Sequence, residues 1–401
     1  MPSPTANLGK LPPYLFAELD RKIAEARARG VDIINLGIGD PDLPTPQPII
    51  QAMTEAVQDP ATHTYPAYKG SLPFCESVSR WMKRRFDVEV DPASETMALI
   101  GAKEGIAHLI LAYIQPGDVV LCPSPAYPVY SNYTTLCGGE TFVMPLSADR
   151  QFLPDFNTIP GEIAKRAKLM FLNYPNNPTG AIAPEKFIQE ALAFCRTHDI
   201  VLCHDNAYSE MTFDGYQAPS FLAQPGAKDV CIEMFSFSKM FNMTGWRVGF
   251  AVGNREAVGA LGSIKNNTDS GVFTAIQRAA SFGLDRAEEL TRDHNAIYGR
   301  RRDMFVQGLR DLGWPVDPMV ATFYLWAPVP SGMTSEAFVT LLLDKCGIVT
   351  PPGNGYGPAG EGYFRVALTQ PENRLQEALE RMAREGVTYK ALATAGAGGL
   401  R

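Results

Sequence analysis

The sequence predicts an α/β fold built on a mostly parallel sheet, and two observations support this prediction. Between residues 95 and 255, short segments that are apolar almost throughout alternate with stretches of helical periodicity. Such strands are typical of a sheet that helices cover on both faces. In addition, the apolar segments end in small or polar residues, among them Gly101, Asn173 and Asp205. Ligands of open parallel sheets bind at this carboxyl edge.

The first 45 residues predict an arm of one helix and one strand. Residues 14–30 carry apolar side chains at helical spacing from Leu15 to Ala26, and Gly30 ends the helix. The segment IINLGIGDPDLPTP then predicts a short strand that runs into a loop. Because the arm has no other apolar partner, we expect it to pack with a smaller unit near the opposite chain end.

Six apolar segments predict the strands of a large domain over residues 46–285: TMALIG, DVVLCPSP, KLMFLNYP, DIVLCHD, CIEMFSFS and RVGFAVG. Residues 273–284 and 287–312 predict long helices. The segments ATFYLWAPV and GYFRVALT predict strands of a small C-terminal α+β domain over residues 286–390. The small, Gly-rich residues 391–401 predict a flexible tail.

Composition excludes several classes of protein. The formal net charge of −7 argues against a nucleic-acid partner, and no apolar run approaches the length of a membrane span. The start of the chain does not resemble a signal peptide. The seven cysteines are scattered without a CxxC pair, which predicts a reduced, cytoplasmic protein with buried thiols and no metal site.

The segment SFSKMFNMTGWRVG combines groups that suit a phosphate and an aldehyde. Ser236, Ser238 and Arg247 can donate hydrogen bonds to a phosphate group. Lys239 lies at a predicted strand end, where a lysine in a pocket can lose its proton and react with an aldehyde. A surface Ser/Lys loop is an equally simple interpretation of the short motif alone.

Three further segments follow predicted strands. In HDNAY, Asp205 can pair with a cationic ring nitrogen, although it can also be an ordinary helix N-cap. NYPNNPTG contains Asn177 and fits a Pro/Gly turn equally well. In GAKEG the free N–H groups at the start of a helix, at Ala102 and Lys103, form an anion site or simply a strand–helix turn.

Because all four segments occur in one order, each at a strand end, the chain resembles the fold type I, pyridoxal-phosphate-dependent aminotransferases of classes I and II. The resemblance runs from about Leu11 to Arg384. It implies a large, mostly parallel, seven-stranded sheet domain that binds pyridoxal 5′-phosphate. It also implies a smaller α+β domain built from both chain ends, and a homodimer.

The resemblance implies roles around the cofactor ring. Lys239 corresponds to the lysine that binds the cofactor covalently and then moves a proton between substrate and cofactor. Asp205 corresponds to the acid that keeps the pyridine nitrogen protonated. Tyr208 and Asn177 correspond to the partners of the ring's O3′ oxygen. Tyr127 corresponds to the aromatic residue that stacks on the ring, with core packing as its alternative.

Around the phosphate, the resemblance implies contacts from Ser236, Ser238, Arg247 and the backbone N–H groups of Ala102 and Lys103. Many relatives carry Ser or Thr near position 103, so the lysine is a departure, and its side chain can reach either the phosphate or solvent.

Three residues correspond to family contacts farther from the ring. Tyr65 resembles a tyrosine that the neighbouring subunit gives to the phosphate, which makes the active site shared. Arg365 corresponds to the arginine that binds the substrate α-carboxylate bidentately, and Gly39 to a glycine close to that carboxylate. Arg365 can otherwise form an ordinary salt bridge, and Gly39 can be a turn residue.

Strings such as LPPYLFAELD, HTYPAYKG, LIGAKEGIAHL and SKMFNMTGWRVGFAVGN look most like the shorter form of LL-diaminopimelate aminotransferase. This likeness implies ping-pong transfer between LL-diaminopimelate and 2-oxoglutarate in lysine biosynthesis. Tyr14 corresponds to a substrate contact, and Ser270 stands where the longer form has asparagine. Lys103 and Glu104 are loose candidates for the distal end of the substrate.

Alternative functions stay open at this point. Glutamate-linked alanine aminotransferases share much of the pattern, and aspartate and aromatic aminotransferases are more distant. A β-lyase or decarboxylase can use the same lysine on the same scaffold. A binding protein that has lost catalysis is disfavoured because all the expected site residues are present.

Overall fold

Eleven strands lie in the part of the chain that the computed structural model describes, residues 2–12 and 15–392, with residues 15–20 described by their backbone. The strands are β1 (Ile34–Asn35), β2 (Thr96–Leu99), β3 (Val119–Ser124), β4 (Glu140–Pro145), β5 (Ala167–Leu172), β6 (Val201–Asp205), β7 (Cys231–Ser236), β8 (Gly249–Gly253), β9 (Tyr324–Pro328), β10 (Ile348–Val349) and β11 (Tyr363–Ala367).

The helices within the same residues lie mostly between these strands. They are α1 (Leu15–Ala28), α2 (Gln47–Val57), α3 (Leu72–Phe86), α4 (Ala102–Tyr113), α5 (Val129–Leu136), α6 (Gly161–Arg166), α7 (Glu185–His198), α8 (Phe237–Met240), α9 (Arg255–Thr268), α10 (Thr274–Asp285), α11 (Ala287–Asp311), α12 (Ser335–Cys346) and α13 (Glu372–Arg384). None of these helices is long and apolar enough to span a membrane.

Seven strands form one sheet in the order β2-β8-β7-β6-β5-β3-β4. All neighbours are parallel except β8, which runs antiparallel to both β2 and β7. The predicted α/β class and mostly parallel sheet are therefore confirmed. The carboxyl ends of β5, β6 and β7 meet at one edge, as the sequence predicts for the polar residues that end these strands.

The edge strand β4 was missing from the predicted strands. Its side chains are mostly exposed or half-buried, and only Met144 is buried. An edge strand with one covered face does not need a continuous apolar run, so the ETFVMP segment carries no strong signal.

Two cores meet along helix α11. Near its start, Ala287 and Leu290 pack in the core on one face of the seven-stranded sheet. Farther along, Tyr298 and Phe305 pack in a second core together with β9 and β11. One long helix therefore belongs to both hydrophobic cores.

The two chain ends meet in the second core. Strand β1 pairs in parallel with β10, with Ile34 opposite Ile348. In α1, Ile23 and Ala26 pack against Leu343 of α12 and Val349 of β10. The boundaries 1–45, 46–285, 286–390 and 391–401 stay predictions, and residues 393–401 lie outside the described part of the chain.

Candidate active site

A cavity of 430 Å³ opens at the carboxyl ends of β5, β6 and β7. Its wall also includes the start of α4 and the segment that follows β1. The lining residues are Ile38, Gly39, Asp40, Ala102, Lys103, Ile106, Tyr127, Asn173, Asn177, Asp205, Ala207, Tyr208, Ser236, Ser238, Lys239, Thr244, Arg247, Tyr324 and Arg365.

Twelve of the residues singled out from the sequence line this one cavity: Gly39, Ala102, Lys103, Tyr127, Asn177, Asp205, Tyr208, Ser236, Ser238, Lys239, Arg247 and Arg365. Tyr65 and Ser270 do not line it. Tyr14 lies outside the described residues.

Asp205 ends β6 with its carboxyl group buried beside the cavity. Its Oδ2 accepts a hydrogen bond of 2.7 Å from the Tyr130 hydroxyl, and its backbone oxygen accepts one of 2.6 Å from Asn173 Nδ2. Within the described chain, its Oδ1 has no hydrogen-bond partner. Burial raises the pKa of Asp205 to about 6, against the opposing effects of the Tyr130 hydrogen bond and the His204 charge. A buried oxygen without a donor suits a cationic ring N–H.

Lys239 lies just beyond the end of β7, as the third residue of the short helix α8. Its side chain is half-buried, and Nζ donates a hydrogen bond of 2.5 Å to the backbone oxygen of Gly39. Burial lowers the pKa of Lys239 to about 8; nearby Asp40 opposes the shift, and Arg365 adds to it. A sizeable fraction of neutral amine therefore exists near neutral pH, as a nucleophilic lysine requires.

The start of α4 and the end of β7 form an anion cradle. The first N–H groups of a helix have no partner within the helix, and Ala102 and Lys103 occupy these positions. The adjacent hydroxyls of Ser236 and Ser238 have no side-chain hydrogen bond to the described residues, although both side chains are buried. These donors suit a phosphate group.

A guanidinium group completes this cradle. A Cβ on Gly101 would collide with the Arg247 guanidinium, and Gly101 also has a φ of +79°, so glycine meets two requirements at this position. Arg247 donates a hydrogen bond of 2.8 Å from Nη1 to the backbone oxygen of Thr244, which orients the group beside the helix start.

Arg365 also lines the cavity and is 1% exposed. Nη1 donates to Asn177 Oδ1 at 2.9 Å, and Nη2 donates to the backbone oxygen of Gly37 at 2.6 Å. The guanidinium carbon lies 4.1 Å from the Tyr324 ring centroid and 5.0 Å from that of Tyr356. Held in this way, the guanidinium is pre-organised for a planar carboxylate.

Close packing limits the residue at position 39. A Cβ on Gly39 would overlap the Tyr324 hydroxyl. The backbone of this segment therefore lies directly against the aromatic wall beside Arg365, and the Tyr208 hydroxyl lies 3.4 Å from that of Tyr324.

The sequence assigned no site role to Tyr130, Tyr324 or Asp40, and it indicated Asn173 only as the polar end of a strand. Tyr130 lies in the first turn of α5, and its ring meets that of Tyr127, which precedes the helix, at 6.2 Å between centroids. Tyr324 lies in an apolar strand of the second core, and an interior strand residue carries no sequence signal for a site.

The predicted residues outside the cavity lie near one another on the surface. The Tyr65 side chain is 87% exposed, and Ser270 is also exposed. The loop that contains Ser270 contacts the Tyr65 segment, because Gly271 packs against the backbone of Ala67 and Tyr68. Glu104 turns away from the cavity, where it accepts hydrogen bonds from the Ile100 N–H and from Lys265.

The residues present fit pyridoxal phosphate. The cavity joins a lysine of lowered pKa, a buried carboxylate oxygen without a donor and a phosphate-sized cradle, and Tyr127 offers an aromatic ring on its wall.

Comparison with known proteins agrees with this geometry. Residues 31–382 match the family described as aminotransferase class I and II, and the chain belongs to this family. It is a pyridoxal-phosphate-dependent transaminase, and the substrates of this class are amino acids and 2-oxo acids.

Two similar curated proteins carry the same enzyme name. LL-diaminopimelate aminotransferase 2 of Trichormus variabilis is 54% identical over 383 residues, which cover 95% of this chain and 98% of the relative. LL-diaminopimelate aminotransferase of Gloeobacter violaceus is 54% identical over 389 residues, which cover 96% of this chain and 99% of the relative.

Two solved structures share the architecture. Substrate-bound BacF from Bacillus subtilis has a TM-score of 0.92 at 37% identity and covers 97% of this chain and 99% of its own. A probable N-succinyldiaminopimelate aminotransferase from Thermus thermophilus has a TM-score of 0.87 at 38% identity and covers 92% and 100%.

We expect the lysine to react in its neutral form. In protein freed of cofactor, the rate of imine formation with pyridoxal phosphate should rise with pH through about 8, because Lys239 loses its proton there. Stopped-flow absorbance across a pH series measures this. A rate that rises only near the ordinary lysine pKa of about 10.4 would contradict the proposed environment.

Tyr130→Phe should change the titration of Asp205. The variant removes a hydrogen bond that lowers the pKa of Asp205, so the carboxylate should protonate at a higher pH than about 6. As the pH falls, binding of pyridoxal phosphate should therefore begin to weaken at a higher pH than in the wild type. At a pH between the two titration midpoints of Asp205, the dissociation constant of the variant should be about tenfold higher than that of the wild type. Fluorescence titration at several pH values measures the dissociation constant, with Tyr133→Phe on the same helix as control. Superimposable pH profiles would count against a role for Tyr130.

Proposed function

We propose that the chain is an LL-diaminopimelate aminotransferase that transfers an amino group to 2-oxoglutarate by a ping-pong mechanism in lysine biosynthesis. The observation that carries this proposal is the near-full-length identity of 54% to enzymes of that name. The charges of the cavity support it independently.

Lys239, Asp205 and Tyr208 are the proposed catalytic residues. Pyridoxal phosphate supplies, when bound, an electron-attracting ring that stabilises negative charge on the substrate α-carbon. Asp205 holds a proton at the ring nitrogen through its otherwise unpaired Oδ1. Lys239 would act as the base that takes the proton from the substrate α-carbon and as the acid that returns it. Tyr208 and Asn177 would donate hydrogen bonds to the ring's O3′, and Tyr127 would offer its aromatic ring for stacking.

The proposed cradle for the phosphate comprises Ser236, Ser238, Arg247 and the N–H groups of Ala102 and Lys103. Helix N–H groups and a guanidinium favour a dianion without any proton transfer. A phosphate held by these residues would anchor the cofactor in the cavity that Asp205 and Lys239 also line.

Arg365 is the proposed partner of the substrate α-carboxylate, with the backbone of Gly39 beside it. Because the guanidinium is buried and held by Asn177 and Gly37, little side-chain entropy is lost when the carboxylate binds. The carboxylate in turn orients the α-carbon toward Lys239.

The cavity has two further charged side chains on its wall. Asp40 and the side chain of Lys103 both line the cavity. LL-Diaminopimelate has a second ammonium and a second carboxylate at its distal end, and a binding site must satisfy both. We assign Asp40 to the distal ammonium and Lys103 to the distal carboxylate. An alanine aminotransferase needs neither residue, which favours the diamino acid.

Three further assignments belong to the same proposal. The active enzyme is a homodimer in which the exposed Tyr65 reaches the phosphate of the neighbouring site, and Ser270, in the adjacent loop, lies near the distal substrate end of that site. Tyr14 contacts the substrate. The enzyme works in the cytoplasm.

A panel of amino donors tests this function. Protein loaded with pyridoxal phosphate should form glutamate from LL-diaminopimelate and 2-oxoglutarate, and the cofactor absorption should shift when an amino donor, LL-diaminopimelate or glutamate, is added alone. Efficient transfer from alanine without transfer from LL-diaminopimelate would identify an alanine aminotransferase. Pyruvate and ammonia released from a cysteine-like substrate would indicate a β-lyase.

Asp40→Asn should reduce specificity for the diamino acid. The variant should lower kcat/KM for LL-diaminopimelate about tenfold relative to kcat/KM for glutamate, because glutamate has no distal ammonium. Asp40 also affects the pKa of Lys239, but this effect is common to both amino donors. The ratio of the two kcat/KM values therefore cancels it. Asp149→Asn, on a surface turn, serves as control. An unchanged ratio would remove Asp40 from the substrate site.

A further inference from the structure

A fully buried pair of ionisable residues lies beneath the cavity. His204 and Glu233 face each other on the neighbouring strands β6 and β7, and both have 0% exposure. Neither residue lines the cavity. His204 stacks on Phe221, with ring centroids 3.8 Å apart, whereas Asp205 turns to the other face of the sheet and meets Tyr130.

Both ring nitrogens of His204 point at acceptors. Nε2 lies 2.9 Å from the backbone oxygen of Tyr174, which can only accept, so Nε2 carries a hydrogen. Nδ1 lies 2.6 Å from Glu233 Oε1. A neutral imidazole has one N–H group, so the contact to Nδ1 needs a second proton in the pair.

The surroundings of Glu233 show where that proton lies. Oε1 also accepts from the N–H of Phe221 at 2.9 Å, and Oε2 accepts from the Ser220 hydroxyl at 2.5 Å. The amide of Asn206 lies 3.5 Å from Oε1. Donors surround Glu233, which stabilises its ionised form and leaves both protons on His204. Such satisfied contacts are the condition under which two buried charges are tolerated.

The pair holds a turn that carries site residues. Tyr174, whose oxygen accepts from His204, begins the turn that leads to Asn177. The Asn177 N–H donates to Asn173 Oδ1 at 2.7 Å, and Asn173 Nδ2 supports the backbone of Asp205. Asn177 Oδ1 then accepts from Arg365. A continuous path of hydrogen bonds and one short turn thus joins His204 to the guanidinium.

We propose that His204 is an imidazolium and that, with Glu233, it positions the turn from Tyr174 to Asn177 so that Arg365 is aligned for the substrate carboxylate. His204 and Glu233 are positioning residues, since neither touches the cavity. The role in alignment rests on the proposed function of Arg365, whereas the charge state does not.

Few other ionisable groups surround the pair. Asp205 and Cys203 flank His204 on β6, and Cys231 lies near Glu233 on β7. Burial raises the pKa of both thiols, which keeps them neutral. Phe221 and Ser220, on the turn packed over the pair, carry no charge. The carboxylates of Glu233 and Asp205 are thus the charges nearest to His204, and both favour the imidazolium.

Nitrogen NMR of the wild-type protein tests the charge state directly. The chain has five histidines, so labelling with ¹⁵N-histidine gives few signals, and His204→Gln identifies the signals of interest. Both ring nitrogens of His204 should be protonated at about pH 7. A signal of an unprotonated ring nitrogen from His204 would overturn the proposal, whatever reaction the enzyme catalyses.

Two substitutions of His204 distinguish a role in positioning Arg365 from a purely structural role. His204→Asn places an amide nitrogen near Nδ1, so it keeps the donor to Glu233 and loses the donor to Tyr174. His204→Gln places its amide nitrogen near Nε2 and does the reverse. If the bond to Tyr174 aligns Arg365, the Asn variant should raise KM for the amino donor about tenfold, and the Gln variant should raise it far less.

The melting temperature and a substitution of a distant histidine serve as controls. Both variants should lower the melting temperature, and His198→Gln, at the end of α7, should change neither KM nor stability. Equal increases of KM in the Asn and Gln variants would reduce the pair to a structural role and overturn the proposal. Failure of amino transfer in the wild type, with His204 charged, would instead count against the proposed function.

Discussion

Desolvation of charged groups at the carboxyl edge of the sheet is the constraint on which the site depends. Removing a carboxylate and an ammonium from water is costly, and the cost appears as opposite shifts of pKa. Burial raises the pKa of Asp205 to about 6 and lowers that of Lys239 to about 8. One group is thereby prepared to hold a cation, and the other to act as a neutral amine. Because buried polar groups need hydrogen-bond partners, Tyr130 lies against Asp205 and the backbone oxygen of Gly39 lies against Lys239.

The segment after β1 connects this edge to the second core. The backbone oxygens of Gly37, Ile38 and Gly39 accept hydrogen bonds from Arg365, Thr369 and Lys239 in turn. A little farther along, Asp42 forms a bidentate ion pair with the nearly buried Arg301 of α11. Because α11 packs in both cores, the segment that covers the cavity is fixed to the helix that joins them.

Much of the fold and the site could be predicted because the signals are local. Asp205, Ser236 and Asn173 each follow an apolar strand directly, and the end of a parallel strand has a known place in such folds. The strand β4 could not be predicted in the same way, because exposure of most of its side chains removes the apolar pattern. The roles of Tyr65 and Ser270 at the active site remain predictions, because neither residue lines the cavity of this chain.

The sequence by itself determined the α/β class, the order of the site segments and the residue types that can perform the chemistry. These follow from short stretches in which each residue's neighbours along the chain set its environment. Only the tertiary structure decided the partners. Tyr130 and Asp205 are separated by 75 positions, and Arg365 and Asn177 by 188, yet each pair shares a hydrogen bond. The proposed charge of His204 likewise depends on acceptors outside its own strand, namely Glu233 of β7 and the backbone oxygen of Tyr174 after β5. Such contacts depend on strand register and on packing between cores, which no local pattern encodes.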